Sequence, residues 1–216
     1  MLRKVLVLID IQREYTTPGR PFYLNGIAGS LERCQKLLMH ARENKWDIVH
    51  VQHSNGEQAA RFNPMTDYFK FVEGFEPQPH EMHIVKNDFS CYSNVEYSNY
   101  MTKLMVLDEQ VNIYMAGYNS VMCCQSTLEE ARRLKHKINY ISDASLAKSL
   151  NGRREIECHQ YQLDLFAAKG LATMVTTQEL ISGLKSVYND NITMFNPQLS
   201  NTTEAHPILI KKLDHK

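Results

Sequence analysis

The chain has 216 residues, 43% of them hydrophobic, which is enough for one full core. Its 24 basic and 24 acidic residues are interspersed and sum to a formal charge of +0, so the electrostatic footprint of a nucleic-acid or anionic-lipid binder is missing and the expected partner is a small molecule or another subunit. Five cysteines at irregular spacings (34, 91, 123, 124 and 158) make neither a disulfide framework nor a CxxC metal pair, and suit free thiols in a reducing cytoplasm.

The first ten residues hold an apolar run that is short for a signal peptide and ends on Asp10 rather than a cleavage site, so a buried strand is expected there. No apolar stretch approaches the roughly 20 residues of a membrane span. From there, short apolar runs alternate with amphipathic stretches, the pattern of βαβ units on a parallel sheet. Strands are expected at Val5–Asp10, Asp47–Gln52, Met82–Lys86, Val111–Gly117, Lys137–Ser142 and Ala172–Val175. Between them, Leu31, Cys34, Leu37, Leu38 and Ala41 recur at helical spacing, as do Tyr97, Met101, Leu104 and Met105, and then Thr127, Leu128, Ala131 and Leu134. A further helix is expected over Ile156–Lys169, stopped by Gly170, and a last one capped by Thr176 with Leu180, Ile181 and Leu184 on its apolar face. Two regions break the rhythm. The polar stretch Ser54–Pro79 is long for a connection and could serve as a binding loop or lid, its Phe62, Tyr68, Phe69, Phe71 and Phe75 forming a substrate wall or pinning the loop to the body. The other is a tail, Ser186–Lys216, whose Ile208-Leu209-Ile210 could add an edge strand or a subunit contact. The expected organisation is one domain over 1–185, with 186–216 as an extension of it.

The most informative segment is Val111 to Cys124, where an apolar strand runs into a small-residue turn that delivers Cys123 to a helix start. Free N–H groups and the dipole of a first helical turn favour a thiolate, the nucleophilic form. A cysteine so placed also fits as a small buried hydrophobe, so its partners decide. In open parallel sheets the ligand crevice lies beyond the strand carboxyl ends. Asp10 ends the first run, Lys86 ends the third and Cys123 follows the fourth, all at one edge. With strand order 3-2-1-4-5-6, the first and fourth strands are neighbours, bringing Asp10 beside Cys123. A carboxylate there can take the thiol proton while a lysine between them favours both anions.

These residues carry a resemblance. Leu8-Ile9-Asp10-Ile11-Gln12, then Ile84-Val85-Lys86-Asn87-Asp88-Phe89-Ser90-Cys91-Tyr92, then Ala116-Gly117-Tyr118-Asn119-Ser120-Val121-Met122-Cys123-Cys124-Gln125-Ser126-Thr127 resemble the isochorismatase-like cysteine hydrolase family in order and spacing. The resemblance implies a three-layer α/β/α sandwich, Rossmann-like, with a six-stranded, mainly parallel sheet in the order 3-2-1-4-5-6. It implies an Asp10-Lys86-Cys123 triad, chooses Cys123 over Cys124 by its distance from Gly117 and Thr127, and places a cis peptide at Tyr118–Asn119 with an oxyanion hole made by the backbone N–H groups of Asn119 and Cys123. It also implies an oligomer, a dimer or tetramer.

The sequence departs from the family at three places. Many amidase members have an Asp-x-His metal motif after the second strand, whereas this chain reads Val51-Gln52-His53-Ser54-Asn55. His50, His53, His80 and His83 have no ligand spacing and read as surface or capping residues, so neither metal nor cofactor is expected. Val95 stands where the family often has Thr, and Tyr118 where it has a small aliphatic residue. Tyr15, Phe62 and Tyr118 are the expected substrate-binding residues. The expected activity is hydrolysis of an amide, carbamoyl or lactam C–N bond through a cysteine thioester. The alternatives are vinyl-ether cleavage of the isochorismatase type, or a redox-responsive protein using Cys123 and Cys124.

Overall fold

The computed structural model describes residues 3–107 and 111–183, all within the first of the two units into which the chain divides, 1–185. The tail over 186–216, Leu184 and the expectations attached to them lie outside the described residues. Six parallel strands form one sheet: β1 (Arg3–Ile9), β2 (Asp47–His53), β3 (Met82–Lys86), β4 (Val111–Tyr118), β5 (Ile138–Leu146) and β6 (Thr173–Val175), in the order β3-β2-β1-β4-β5-β6. The expected order is the observed one, and the sheet is wholly rather than mainly parallel.

The strands are apolar along their length because both faces are covered. In β1, Val5, Val7 and Ile9 face one core while Leu6 and Leu8 face the other; in β4, Ile113 and Met115 oppose Tyr114, Ala116 and Tyr118 in the same way. Helix α2 (Ile27–Glu43) covers the second face through Cys34, Leu37, Leu38 and Ala41. The first face is covered by α3 (Val95–Leu107), α4 (Gln125–Arg133) and α5 (Glu155–Ala168), through Tyr97, Met101, Leu104, Leu128, Ala131 and Phe166. A single turn, α1 (Arg13–Thr16), precedes α2, and a short helix, α6 (Thr177–Ser182), ends the described chain. Among the described residues no helix is long and apolar enough to cross a membrane.

Local signals near the end of the described residues behave as expected. Thr176 Oγ1 accepts from the Glu179 N–H at 3.2 Å and the Glu179 carboxylate accepts from the Thr176 N–H at 2.7 Å, a reciprocal cap, while Gly170 takes the left-handed conformation (φ +57°) after α5. Two expectations need correction. β5 continues to Leu146 instead of ending at Ser142, because tertiary partners absorb its polar residues: Asp143 Oδ1 accepts from the N–H and hydroxyl of Thr177 at 2.8 and 2.9 Å. Ile181 is exposed and does not share a buried face with Leu180.

Candidate active site

Three strand ends build the site. The backbone leaves β1 at Asp10, whose φ of +53° turns its carboxylate inward, while its N–H remains bonded to Val51 O at 2.9 Å. β3 is an edge strand that alternates outward and inward, and Lys86 is its last inward residue, paired in register with His53 of β2. β4 ends in Gly117-Tyr118-Asn119, with the Tyr118–Asn119 peptide cis, and a single π-helical turn, Ser120–Cys124, places Cys123 ahead of α4. The three side chains meet. Lys86 Nζ donates to Asp10 Oδ2 at 2.9 Å and to Cys123 Sγ at 3.2 Å, and all three residues are at least 97% buried. Cys124 faces away, with its Sγ 3.6 Å from Gly117 O.

The electrostatics overturn one expectation. Burial, and then the Asp10 carboxylate, raises the Cys123 pKa well above that of an ordinary thiol, and the Lys86 ammonium offsets this only in part. A helix start therefore does not make this thiol a resting thiolate: burial and the adjacent carboxylate outweigh the dipole of the turn. Burial alone would discharge Lys86, yet Asp10 and Cys123 hold it protonated, above the ordinary lysine range. The resting charges are thus a buried ion pair beside a neutral thiol.

Other residues support the site that the sequence did not single out. His53 is buried rather than on the surface: its Nδ1 lies 3.4 Å from Lys86 Nζ and its Nε2 2.8 Å from Asn55 Oδ1. Burial, then the Lys86 charge, lowers its pKa, which keeps the ring neutral and able to accept from the ammonium. Gln12 locks the Asp10 loop to the end of β2, its Oε1 accepting from the His53 N–H at 2.8 Å and its Nε2 donating to His53 O at 3.2 Å. His50 is likewise buried, with Nε2 2.8 Å from Glu81 Oε2, so the surface or capping role is wrong for both His50 and His53. The sequence gives no sign of either burial, because Glu81 and Lys86 lie more than thirty residues downstream. Among the described residues no group of three His, Cys, Asp or Glu is arranged to hold a metal ion.

The expected substrate residues form an aromatic cluster, with Tyr15 in the middle, 5.4 Å from Phe62 and 5.6 Å from Tyr118 between ring centroids; Phe22, not foreseen, packs on Phe62 at 5.1 Å. Tyr118 backs this cluster from the α2 side, its hydroxyl 3.0 Å from Ser30 Oγ. Of the aromatics in the long connection, Phe71 and Phe75 pin it to the α2-side core, whereas Phe62 alone joins the Tyr15 cluster. Val95 is exposed.

The fold is a three-layer α/β/α sandwich, with Asp10, Lys86 and Cys123 brought together at the carboxyl edge of its parallel sheet. The profile of the isochorismatase domain matches residues 4–179, and the chain belongs to the isochorismatase family of hydrolases. Among its relatives is an isochorismatase family protein of Bacillus subtilis, YrdC, 21% identical over 83% of this chain and 95% of that one. Another is a maleamate amidohydrolase of Pseudomonas putida, 24% identical over 85% of this chain and 87% of that one. An isochorismatase crystal structure from Pseudomonas putida superposes with a TM-score of 0.73 at 23% identity, covering 82% of this chain and 89% of that one, a likeness of fold.

Proposed function

We propose that the chain hydrolyses the C–N bond of a small amide, carbamoyl or lactam compound through a thioester on Cys123. The observation that carries this reading is the buried Lys86 ammonium, which bonds Asp10 Oδ2 and Cys123 Sγ at once. Asp10 takes the thiol proton, and the sulfur attacks the carbonyl carbon. The new S–C bond pushes the carbonyl electrons onto oxygen, where the backbone N–H groups of Asn119 and Cys123 receive the charge. The intermediate collapses by breaking the C–N bond, and the proton on Asp10 leaves with the amine. Asp10 then deprotonates a water that attacks the thioester, releasing the acid and returning a proton to sulfur. Lys86 stays protonated throughout and keeps the site from carrying two uncompensated anions.

The raised thiol pKa supports this order of events, since a thiol that rests protonated needs the adjacent carboxylate as its base. A maleamate amidohydrolase among the relatives is consistent with amide chemistry. The test is ammonia release over a panel of small amides by the wild type and by Cys123→Ala. Release by the wild type and none by the variant is expected; a fully active Cys123→Ala would overturn the reading.

A further inference from the structure

One buried histidine on α5 takes no part in the proposed chemistry. His159 Nε2 lies 2.7 Å from Ser142 O and its Nδ1 2.9 Å from Ser120 Oγ, and both Ser120 and His159 are buried. A carbonyl oxygen only accepts, so Nε2 carries the proton and Nδ1 is left to accept from the Ser120 hydroxyl. Burial lowers the pKa of the ring against the opposing effect of the Ser142 bond, which keeps it in this neutral form. Ser142 falls where β5 breaks register with β4: Tyr140 pairs with Met115 but Ser145 with Gly117, a break that lets a strand carbonyl face a helix side chain. The same stretch of β5 holds the chain just before the nucleophile turn, with Ser145 Oγ accepting from the Gly117 N–H at 3.2 Å. One helical turn along α5, the buried Gln162 donates through Nε2 to Gln125 Oε1 at 2.9 Å, one residue past Cys124.

We infer that His159 is a positioning residue for the nucleophile: through the Ser120 hydroxyl it ties the first residue of the Ser120–Cys124 turn to β5, while Gln162 ties the residue after the turn, so that Cys123 Sγ is held 3.2 Å from Lys86 Nζ. The inference rests on the amide-hydrolase reading for its turnover readout alone. Its bonds go to Ser120 and Ser142 rather than to the triad, so His159 acts through Ser120. Ser120 is fully buried with its hydroxyl given to α5, which makes the pair a tie and not a second nucleophile. Cys123 lies three residues further on, in a single turn whose Met122 and Cys124 N–H groups both bond back to Asn119 O, so a shift at Ser120 is carried to the sulfur. Misplacing a reacting group by about 1 Å can cost on the order of 100-fold in rate.

The experiment compares the wild type with Ser120→Ala, His159→Leu, the double variant of these two, and His159→Asn, whose Oδ1 stands near the place of Nδ1 and keeps an acceptor for the Ser120 hydroxyl. Two quantities are read: ammonia release from the amide that the wild type hydrolyses fastest, and iodoacetamide labelling of Cys123 and Cys34, mapped by mass spectrometry. Cys34 is buried on the opposite face of the sheet and reports any general loosening, since a buried thiol labels through the opening of its own surroundings. Ser120→Ala and His159→Leu should each lower kcat about 10- to 100-fold with KM within about twofold of the wild type. The double variant should be no worse than the weaker single one, because both remove the same tie, and His159→Asn should recover most of kcat. In both single variants Cys123 should label about tenfold faster, the equivalent of one buried hydrogen bond, with Cys34 unchanged. An unchanged kcat in both single variants, losses that multiply in the double variant, or Cys34 labelling that rises in step with Cys123 overturns the inference. A wild type that releases no ammonia, alongside variants in which Cys123 alone labels faster, would remove the hydrolase reading and leave the tie standing.

Discussion

Gly117 lies so close to Ile9 that a Cβ on it would come within 2.9 Å of three Ile9 backbone atoms, and its φ of +117° is one that side-chain-bearing residues rarely adopt. The two residues pair in register at the ends of β4 and β1. Asp10 follows one and the Cys123 turn follows the other, so this backbone approach sets the spacing of acid and thiol.

Gly117→Ala should therefore cost about 3 kcal/mol or more, from strain and overpacking together. Scanning calorimetry is expected to show a clear fall in Tm, with ammonia release lost even at temperatures where the variant is folded. An unchanged Tm would mean that the strand ends can move apart freely.

Lys86→Met removes a buried cation from between two partners. Asp10 would be left as an uncompensated buried carboxylate, a loss worth about 3–5 kcal/mol at neutral pH. Cys123 would lose the one charge that favours its thiolate. Chemical denaturation should show the destabilisation, and alkylation of Cys123 by iodoacetamide at pH 7 should be slower than in the wild type. Faster alkylation would contradict the assigned role of Lys86.

Away from the site, Glu81 accepts from the Arg42 guanidinium at 2.7 and 2.9 Å and from the Gln78 N–H at 2.8 Å. Although burial works against the charge, these bonds and His50 hold its pKa down to about 2, from an ordinary 4.5. Because the folded value is the lower one, the stability it contributes is complete above pH 4.5 and lost as the pH falls toward 2. Thermal melts from neutral to acid pH should show the wild type losing Tm through that window more steeply than Glu81→Gln. Parallel pH profiles would remove Glu81 as a source of acid sensitivity.

Much of this arrangement was legible in the chain itself. Both faces of a parallel sheet are covered, so each strand is written as an apolar run, and Asp10, Lys86 and Cys123 stand out because each follows such a run at the same edge. The polar half of β5 was not legible, because Asp143 becomes strand only when Thr177 supplies its partners. The burial of His50 and His53 depends on Glu81, Lys86 and the long connection, partners that no local spacing reveals. The charge state of Cys123 was misread for a related reason: the turn that carries it is local, whereas the desolvation that governs it comes from the assembled site.

Asp10→Asn tests the central claim most directly, because it separates the thiol's ionisation from its use. The substitution removes the charge that, after burial, most raises the Cys123 pKa, and it keeps Lys86 in place. Iodoacetamide should then label Cys123 faster at pH 7 than in the wild type, while ammonia release falls about 10²–10⁴-fold for want of the proposed general base. An Asp10→Asn protein that labels more slowly, or that releases ammonia at the wild-type rate, would contradict the pairing of Asp10 with Cys123.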